Sequence, residues 1–262
     1  MQEQENNQGA VRLEIAGNVA SVTFDRPEAR NAMTWAMYER LRAICEQLRD
    51  DRAIRVVRFQ GAGGEAFVAG TDIAQFRDFD GERGVAYERQ IDATMQLLAG
   101  LPMPTVAVVQ GWCIGGGFAI ASTCDFRIAT AGSKFGVPIA RTLGNCLSME
   151  NVALLVASMG RPRVQRLLLL ADLIGAEEAQ ACGYVLEVST PEAVEAAAQK
   201  LCSKLASLAP VTQQVSKEAL SRLLRHDLPD AQDLIRRTYG SEDFREGVTA
   251  FMAKRPPVWK GR

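Results

Sequence analysis

At 262 residues the chain is long enough to bury a substantial core, as one large domain or as a domain with a smaller appendage. Apolar residues make up 47% of it, and 30 basic against 31 acidic residues leave a net charge of −1, which argues against a nucleic-acid binder held by phosphate neutralisation. Six cysteines without a CxxC pair and one histidine, His226, argue against a metal cluster and against nucleophilic chemistry built on imidazole.

The opening MQEQENNQGA is polar and lacks the basic and apolar regions of a signal peptide, so residues 1–10 read as a flexible tail and the expected location is cytoplasmic. Val11 to Ile15 and Val19 to Phe24 alternate as two strands around an Ala16-Gly17-Asn18 turn. Thr34 is the expected N-cap of a helix reaching Asp50, with Met37, Leu41, Ile44 and Leu48 at helical spacing. Arg55 to Gln60 reads as the next strand, and strands alternating with helices point to α/β layering. Asp72 to Asp80 reads as a short helix and loop carrying Phe76 and Phe79, and Glu82 to Leu101 as a full helix.

The chain is organised around Val106 to Arg127, where an apolar strand runs through Gly111 into Gly115-Gly116-Gly117 and then an uncharged helix. Such a helix presents its first free N–H groups inside the protein, where they need an acceptor. The glycines let a ligand oxygen approach the backbone, and the helix dipole adds partial positive charge there. A Walker loop does not fit, because Phe118 follows the glycines where Lys would stand, and a dinucleotide fold would need its GxGxxG near the first strand with an acidic residue about 20 positions on. A second strand exit, Phe67 to Ile73, carries Asp72 as a natural N-cap. Two such turns can hold one carbonyl oxygen between two backbone N–H groups.

Beyond that helix, Asp125 to Thr130 returns as a strand with Lys134-Phe135-Gly136 extended after it. After residue 147 the pattern is helical, over Ser148–Met159, Arg161–Leu170, Ala176–Cys182, Pro191–Leu208, Val211–His226, Pro229–Tyr239 and Asp243–Lys254. The most apolar window, Val164 to Leu173, is interrupted by Arg166 and Asp172 and falls short of the roughly 20 residues a bilayer span needs.

Asp25-Arg26-Pro27 with Asn31-Ala32-Met33, Phe67 to Ile73, Gln110 to Ala129, Gly175-Ala176 with Glu178-Ala179 and Gly183, and the ending Phe251 to Arg262 together resemble the crotonase, or enoyl-CoA hydratase/isomerase, superfamily. The resemblance implies an α/β spiral of ββα units with a helical C-terminal trimerisation region. It divides the chain into an acyl-CoA-binding core at 11–200 and a helical region at 201–262 for oligomerisation and closure of the CoA site. The implied partner is an acyl-CoA thioester, with coenzyme A entering as part of the substrate and no separate cofactor. The implied assembly is a homotrimer or a dimer of trimers. By the same resemblance the N–H groups of Ala69 and Gly116 form the oxyanion hole. Arg26, Ala29, Phe67, Ala69, Asp72, Ile73 and Lys254 would border CoA, with Arg26, Arg30 and Lys254 as candidates for its phosphates.

The chain departs from that family where its hydratases carry two glutamates, since Ala119 and Ile139 stand at those positions. Positioned acid–base groups typically contribute about 10²–10⁴-fold each, so losing both disfavours ordinary hydration. Three readings follow. The first is an enolate-forming enzyme of lyase or decarboxylase type, with Arg141 holding a carboxylate substituent, Cys146 or Glu150 supplying a proton and Asn145 orienting water. The second is a hydratase or isomerase whose carboxylate has moved, with Glu150 and Asp72 as the nearest candidates. The third is a non-catalytic acyl-CoA-binding scaffold.

Overall fold

The computed structural model describes residues 8–262, so the expected N-terminal tail lies outside the described residues up to residue 7. Among the described residues ten strands form two sheets. The larger has the order β1 (Ala10–Ala16), β2 (Val19–Asp25), β3 (Val56–Gly61), β5 (Thr105–Val109), β7 (Phe126–Thr130), β10 (Glu187–Ser189). The smaller runs β4 (Ala66–Ala69), β6 (Trp112–Ile114), β8 (Lys134–Gly136), β9 (Ile174–Gly175).

Among the described residues only the β1–β2 hairpin and the β8–β9 pair are antiparallel. Three successive turns of chain place one strand in each sheet: β3 then β4, β5 then β6, β7 then β8. The result is the spiral of ββα units that the resemblance implies. β5 is buried at all five residues, as its uninterrupted TVAVV predicts for a strand covered on both faces.

Helix α1 (Trp35–Arg49) starts at Thr34, whose hydroxyl accepts the Met37 N–H, and it buries Met37, Leu41, Ile44 and Leu48, the stripe seen in the sequence. α2 (Gly81–Ala99) is capped by Asp80. α3 (Gly116–Thr123) is the short apolar helix after the triple glycine. The segment expected as a short helix after Asp72 is one 3₁₀ turn, Ile73–Phe76.

The C-terminal helices are α4 (Met149–Met159), α5 (Arg161–Leu169), α6 (Ala176–Ala181), α7 (Val194–Ser207), α8 (Pro210–Arg225), α9 (Gln232–Tyr239) and α10 (Glu242–Met252). α9 and α10 fold back over the middle of the chain, where Ile235, Tyr239, Phe244 and Val248 bury a satellite cluster with Phe76 and Val85. α8 buries none of its residues and exposes Val211, Val215, Leu220 and Leu223. No described helix is long and apolar enough to cross a membrane.

Candidate functional site

The two glycine-containing turns leave neighbouring parallel strands, β4 and β6, and so emerge side by side at one end of the smaller sheet. A Cβ on Gly115 would lie 3.5 Å from Gly70 Cα, and one on Gly116 would overlap the Tyr38 hydroxyl while lying 3.1 Å from Thr71 Oγ1. Glycine at 116 is therefore a requirement of space, and Gly115 adds a positive φ of 54°.

Hydrogen bonding decides which amides face the space between the turns. Met33 N–H donates to Gly70 O at 2.9 Å, Asp72 N–H to Met33 O at 2.8 Å and Ala69 N–H to Arg30 O at 3.0 Å. The Ala69 amide, expected as an oxyanion donor, is thus engaged by the protein's own backbone. The amide left open on that turn belongs to Thr71, and among the described residues no acceptor takes the N–H of Thr71 or of Gly116. Inward-facing amides of this kind are paired when a ligand oxygen arrives.

Both amides border a cavity of about 180 Å³ whose walls include Ile73, Phe76, Ile91, Leu143 and Phe251. Ala119 and Ile139, the positions at which the resemblance implies hydratase glutamates, line it. One carboxyl group does line it, and it is none of the residues expected from the sequence: Glu88 on α2, 4% exposed. Its Oε1 accepts the Tyr239 hydroxyl at 2.6 Å. Burial, opposed by that hydrogen bond and reinforced by the nearby charge of Asp92, raises its pKa to about 8. Glu88 is therefore a neutral acid at pH 7. The sequence held one signal for it, since Val85, Glu88, Ile91, Met95 and Leu98 form a single buried stripe and Glu88 is its charged member.

Around this acid the polar groups are connected. Asn145 Nδ2 donates to the Tyr239 hydroxyl at 3.3 Å, while Asn145 Oδ1 is buried beside the cavity with no partner among the described residues. At the two turns, the hydroxyls of Tyr38 and Thr71 are 2.9 Å apart, and Thr71 Oγ1 is 3.4 Å from the Tyr87 hydroxyl. Burial pushes the Tyr38 phenol up to about 12, so it remains a neutral hydrogen-bonding group.

The remaining expected site residues divide by location. Ile73 lines the cavity. Asp72 is a cap, accepting Ala74 N–H at 3.1 Å and Arg26 Nη1 at 3.0 Å. Arg26, expected at the phosphates, is 8% exposed and braces the turn through Asp72 and Ala32 O. Phe67 is fully buried, edge-on to Phe24, so its side chain belongs to the core. Ala29 sits half-buried in the 3₁₀ turn Pro27–Ala29, Arg30 is exposed and paired with Glu65 at 2.7 Å, and Lys254 is exposed after α10.

The three acid–base and carboxylate-binding candidates fall outside the cavity wall. Arg141 is exposed at the end of the 3₁₀ turn Pro138–Ala140. Cys146 packs against the Phe76–Tyr239 cluster, where burial pushes its thiol up to about 11. Glu150 lies in the first turn of α4, where its oxygens accept Gln96 Nε2 at 2.7 and 3.0 Å, and it borders a different cavity.

Residues 14–262 match the enoyl-CoA hydratase/isomerase family. A short-chain-enoyl-CoA hydratase of Clostridium acetobutylicum is 31% identical over 249 residues, covering 94% of this chain and 95% of that protein. An enoyl-CoA hydratase/carnithine racemase structure from Magnetospirillum magneticum superposes with a TM-score of 0.79 at 30% identity, covering 96% of each chain. A methylmalonyl-CoA decarboxylase in complex with 2-nitronate-propionyl-CoA superposes with a higher TM-score of 0.89 at 25% identity, covering 96% of this chain and 98% of that one. A match over nearly the whole chain, with the paired turns at its centre, establishes that this protein belongs to the enoyl-CoA hydratase/isomerase family of acyl-CoA-processing enzymes.

Proposed function

We propose that the protein forms a thioester enolate, with decarboxylation of a malonyl-type acyl-CoA as the leading reaction. The observation that carries this reading is Glu88, the single carboxyl group lining the cavity, neutral at pH 7 and in the same space as the open amides of Thr71 and Gly116. The thioester oxygen sits between those two amides. When the bond from C2 to the substrate carboxylate breaks, its electron pair passes into C1–C2 and onto that oxygen. Each preorganised donor of this kind is worth about 2.7–4 kcal/mol in a dry site. CO₂ departs, Glu88 delivers its proton to C2, and solvent later reprotonates Glu88.

A neutral Glu88 does not repel the incoming carboxylate, and the walls formed by Phe76, Ile91, Ile139 and Leu143 keep solvating water from it. The likeness in backbone to a methylmalonyl-CoA decarboxylase supports the same reading. A second reading is favoured by the hydratase names of the sequence relatives. In it Glu88, rather than Glu150, is the relocated acid/base of a hydratase or isomerase. The exposed apolar face of α8 (Val211, Val215, Leu220, Leu223) is proposed to mediate association of copies into trimers, and Lys254 and Arg30 remain proposed contacts for CoA phosphates.

Mass spectrometry of malonyl-type and 2-enoyl thioesters incubated with the protein in D₂O separates these readings. Loss of CO₂ with one deuterium at C2, abolished in Glu88→Gln, is expected. Water addition to the enoyl thioester without CO₂ loss selects the second reading, and return of every thioester unchanged refutes both.

A further inference from the structure

Three hydroxyls meet beside the two open amides. Tyr38 reaches the site from α1, Tyr87 from α2, and Thr71 from the turn after β4. Thr71 Oγ1 stands in the middle, 2.9 Å from the Tyr38 hydroxyl and 3.4 Å from the Tyr87 hydroxyl. A Cβ on Gly116 would lie 3.1 Å from the same Oγ1 and would overlap the Tyr38 hydroxyl, so the cluster lies against the second amide-bearing turn. Burial raises both phenols, Tyr38 to about 12 and Tyr87 well above its ordinary value, and all three hydroxyls therefore hold their protons at neutral pH.

The protons of this cluster outnumber its internal hydrogen bonds. Three hydroxyls carry three protons, and the two contacts between them use two. Among the described residues no further acceptor takes the third. Tyr38 is 1% exposed and is not part of the cavity wall, so its proton goes to Thr71, the partner within reach. Thr71 and Tyr87 both line the cavity, which leaves the surplus proton on the substrate side. With both phenols donating to Thr71, that proton is the one on Thr71 Oγ1.

We infer that the Thr71 hydroxyl is a third hydrogen-bond donor to the thioester oxygen, beside the N–H groups of Thr71 and Gly116, and that Tyr38 and Tyr87 position it. The inference rests on the acyl-CoA reading above, which puts that oxygen between the two amides. An apolar side chain at position 71 would leave the same N–H in place, so the hydroxyl has a role separate from the backbone. Its two lone pairs are taken by the phenols, so it offers the ligand a proton and no acceptor, and accepting from two donors polarises its own O–H. Such a group selects an electron-rich oxygen over a ligand hydroxyl or N–H. Its hydrogen bond strengthens as charge builds on the thioester oxygen, which directs its effect to turnover.

The test binds butyryl-CoA, isotopically labelled at its thioester carbonyl, to the full-length protein and reads the carbonyl stretch by infrared difference spectroscopy. Thr71→Val keeps the amide and the side-chain shape but removes the hydroxyl, and its bound carbonyl is expected to absorb at higher frequency than in the unmodified protein. Thr71→Ser is expected to match the unmodified protein. Thr71→Val combined with Tyr38→Phe strands no buried phenol and is expected to show the same upward shift, so the result does not depend on one variant folding. In steady-state kinetics Thr71→Val is expected to lower kcat by about 10²-fold while KM stays within about threefold, and Thr71→Ser to restore most of the loss. The infrared measurement needs no turnover, so a protein that processes no thioester refutes the enolate reading and leaves this inference to the spectrum. A carbonyl stretch unchanged in both valine variants, or one that moves only in Tyr87→Phe, overturns the inference, as does a Thr71→Ser variant impaired as deeply as Thr71→Val.

Discussion

Replacing Glu88 by Gln removes a carboxyl group whose pKa burial raises from 4.5 to about 8, and the consequence is a pH-dependent change in stability. Between those two values the folded protein keeps the proton while the unfolded chain has lost it. The wild type therefore loses stability as pH rises through that window, by about 1.4 kcal/mol per pH unit. Over the span from 4.5 to about 8 the loss is on the order of 5 kcal/mol, and it is complete above the folded pKa. Glutamine does not titrate, and its amide oxygen accepts the Tyr239 hydroxyl in place of Oε1, so the variant escapes this loss. The melting temperatures of wild type and Glu88→Gln are expected to be close at pH 5, with the variant ahead by about 10 °C at pH 9. Asp92, raised to about 6 chiefly by burial, titrates in both proteins and contributes to both curves. Differential scanning calorimetry across pH 5 to 9 makes the comparison. A gap that stays constant over that range refutes the buried, neutral Glu88 and with it the proton-donor role.

Gly116→Ala drives a methyl group into the Tyr38 hydroxyl and is expected to lower kcat by about 10²–10³ through a displaced amide, with partial recovery in the double variant with Tyr38→Phe, read by steady-state kinetics. Glu150→Gln keeps a side chain able to meet Gln96 and changes a group outside the cavity that Glu88 lines. Its kcat should stay within about twofold of wild type, whereas a loss of two orders of magnitude would restore Glu150 as the acid/base. Asn31 accepts the Arg26 N–H at 2.9 Å and donates to Ala62 O and Ala66 O at 2.9 and 2.8 Å, so Asn31→Ala strands buried partners and is expected to cost about 2–4 kcal/mol in urea unfolding.

The sequence by itself determined the elements whose signals are local. Thr34 and its helical stripe, the TVAVV strand and the triple glycine are each set by neighbours within a few residues, and they stand in the fold where expected. The short strands β4, β6 and β9, of four, three and two residues, carry too few positions to show a period and exist only through pairing with distant partners. The site divides in the same way. Gly116 was legible because a glycine cluster before an apolar helix has a local cause. The exchange of Ala69 for Thr71 as the open donor depends on the Arg30 carbonyl, some forty residues away in sequence, reaching the Ala69 amide. Glu150 and Glu88 are both glutamates on helices. Only the packing of α9 over α2, which buries Glu88 against Tyr239, gave one of them a raised pKa and a place in the cavity wall, while the other faces away toward Gln96. Burial and hydrogen-bond partners are properties of assembled elements, and they turn a residue type into a chemical role.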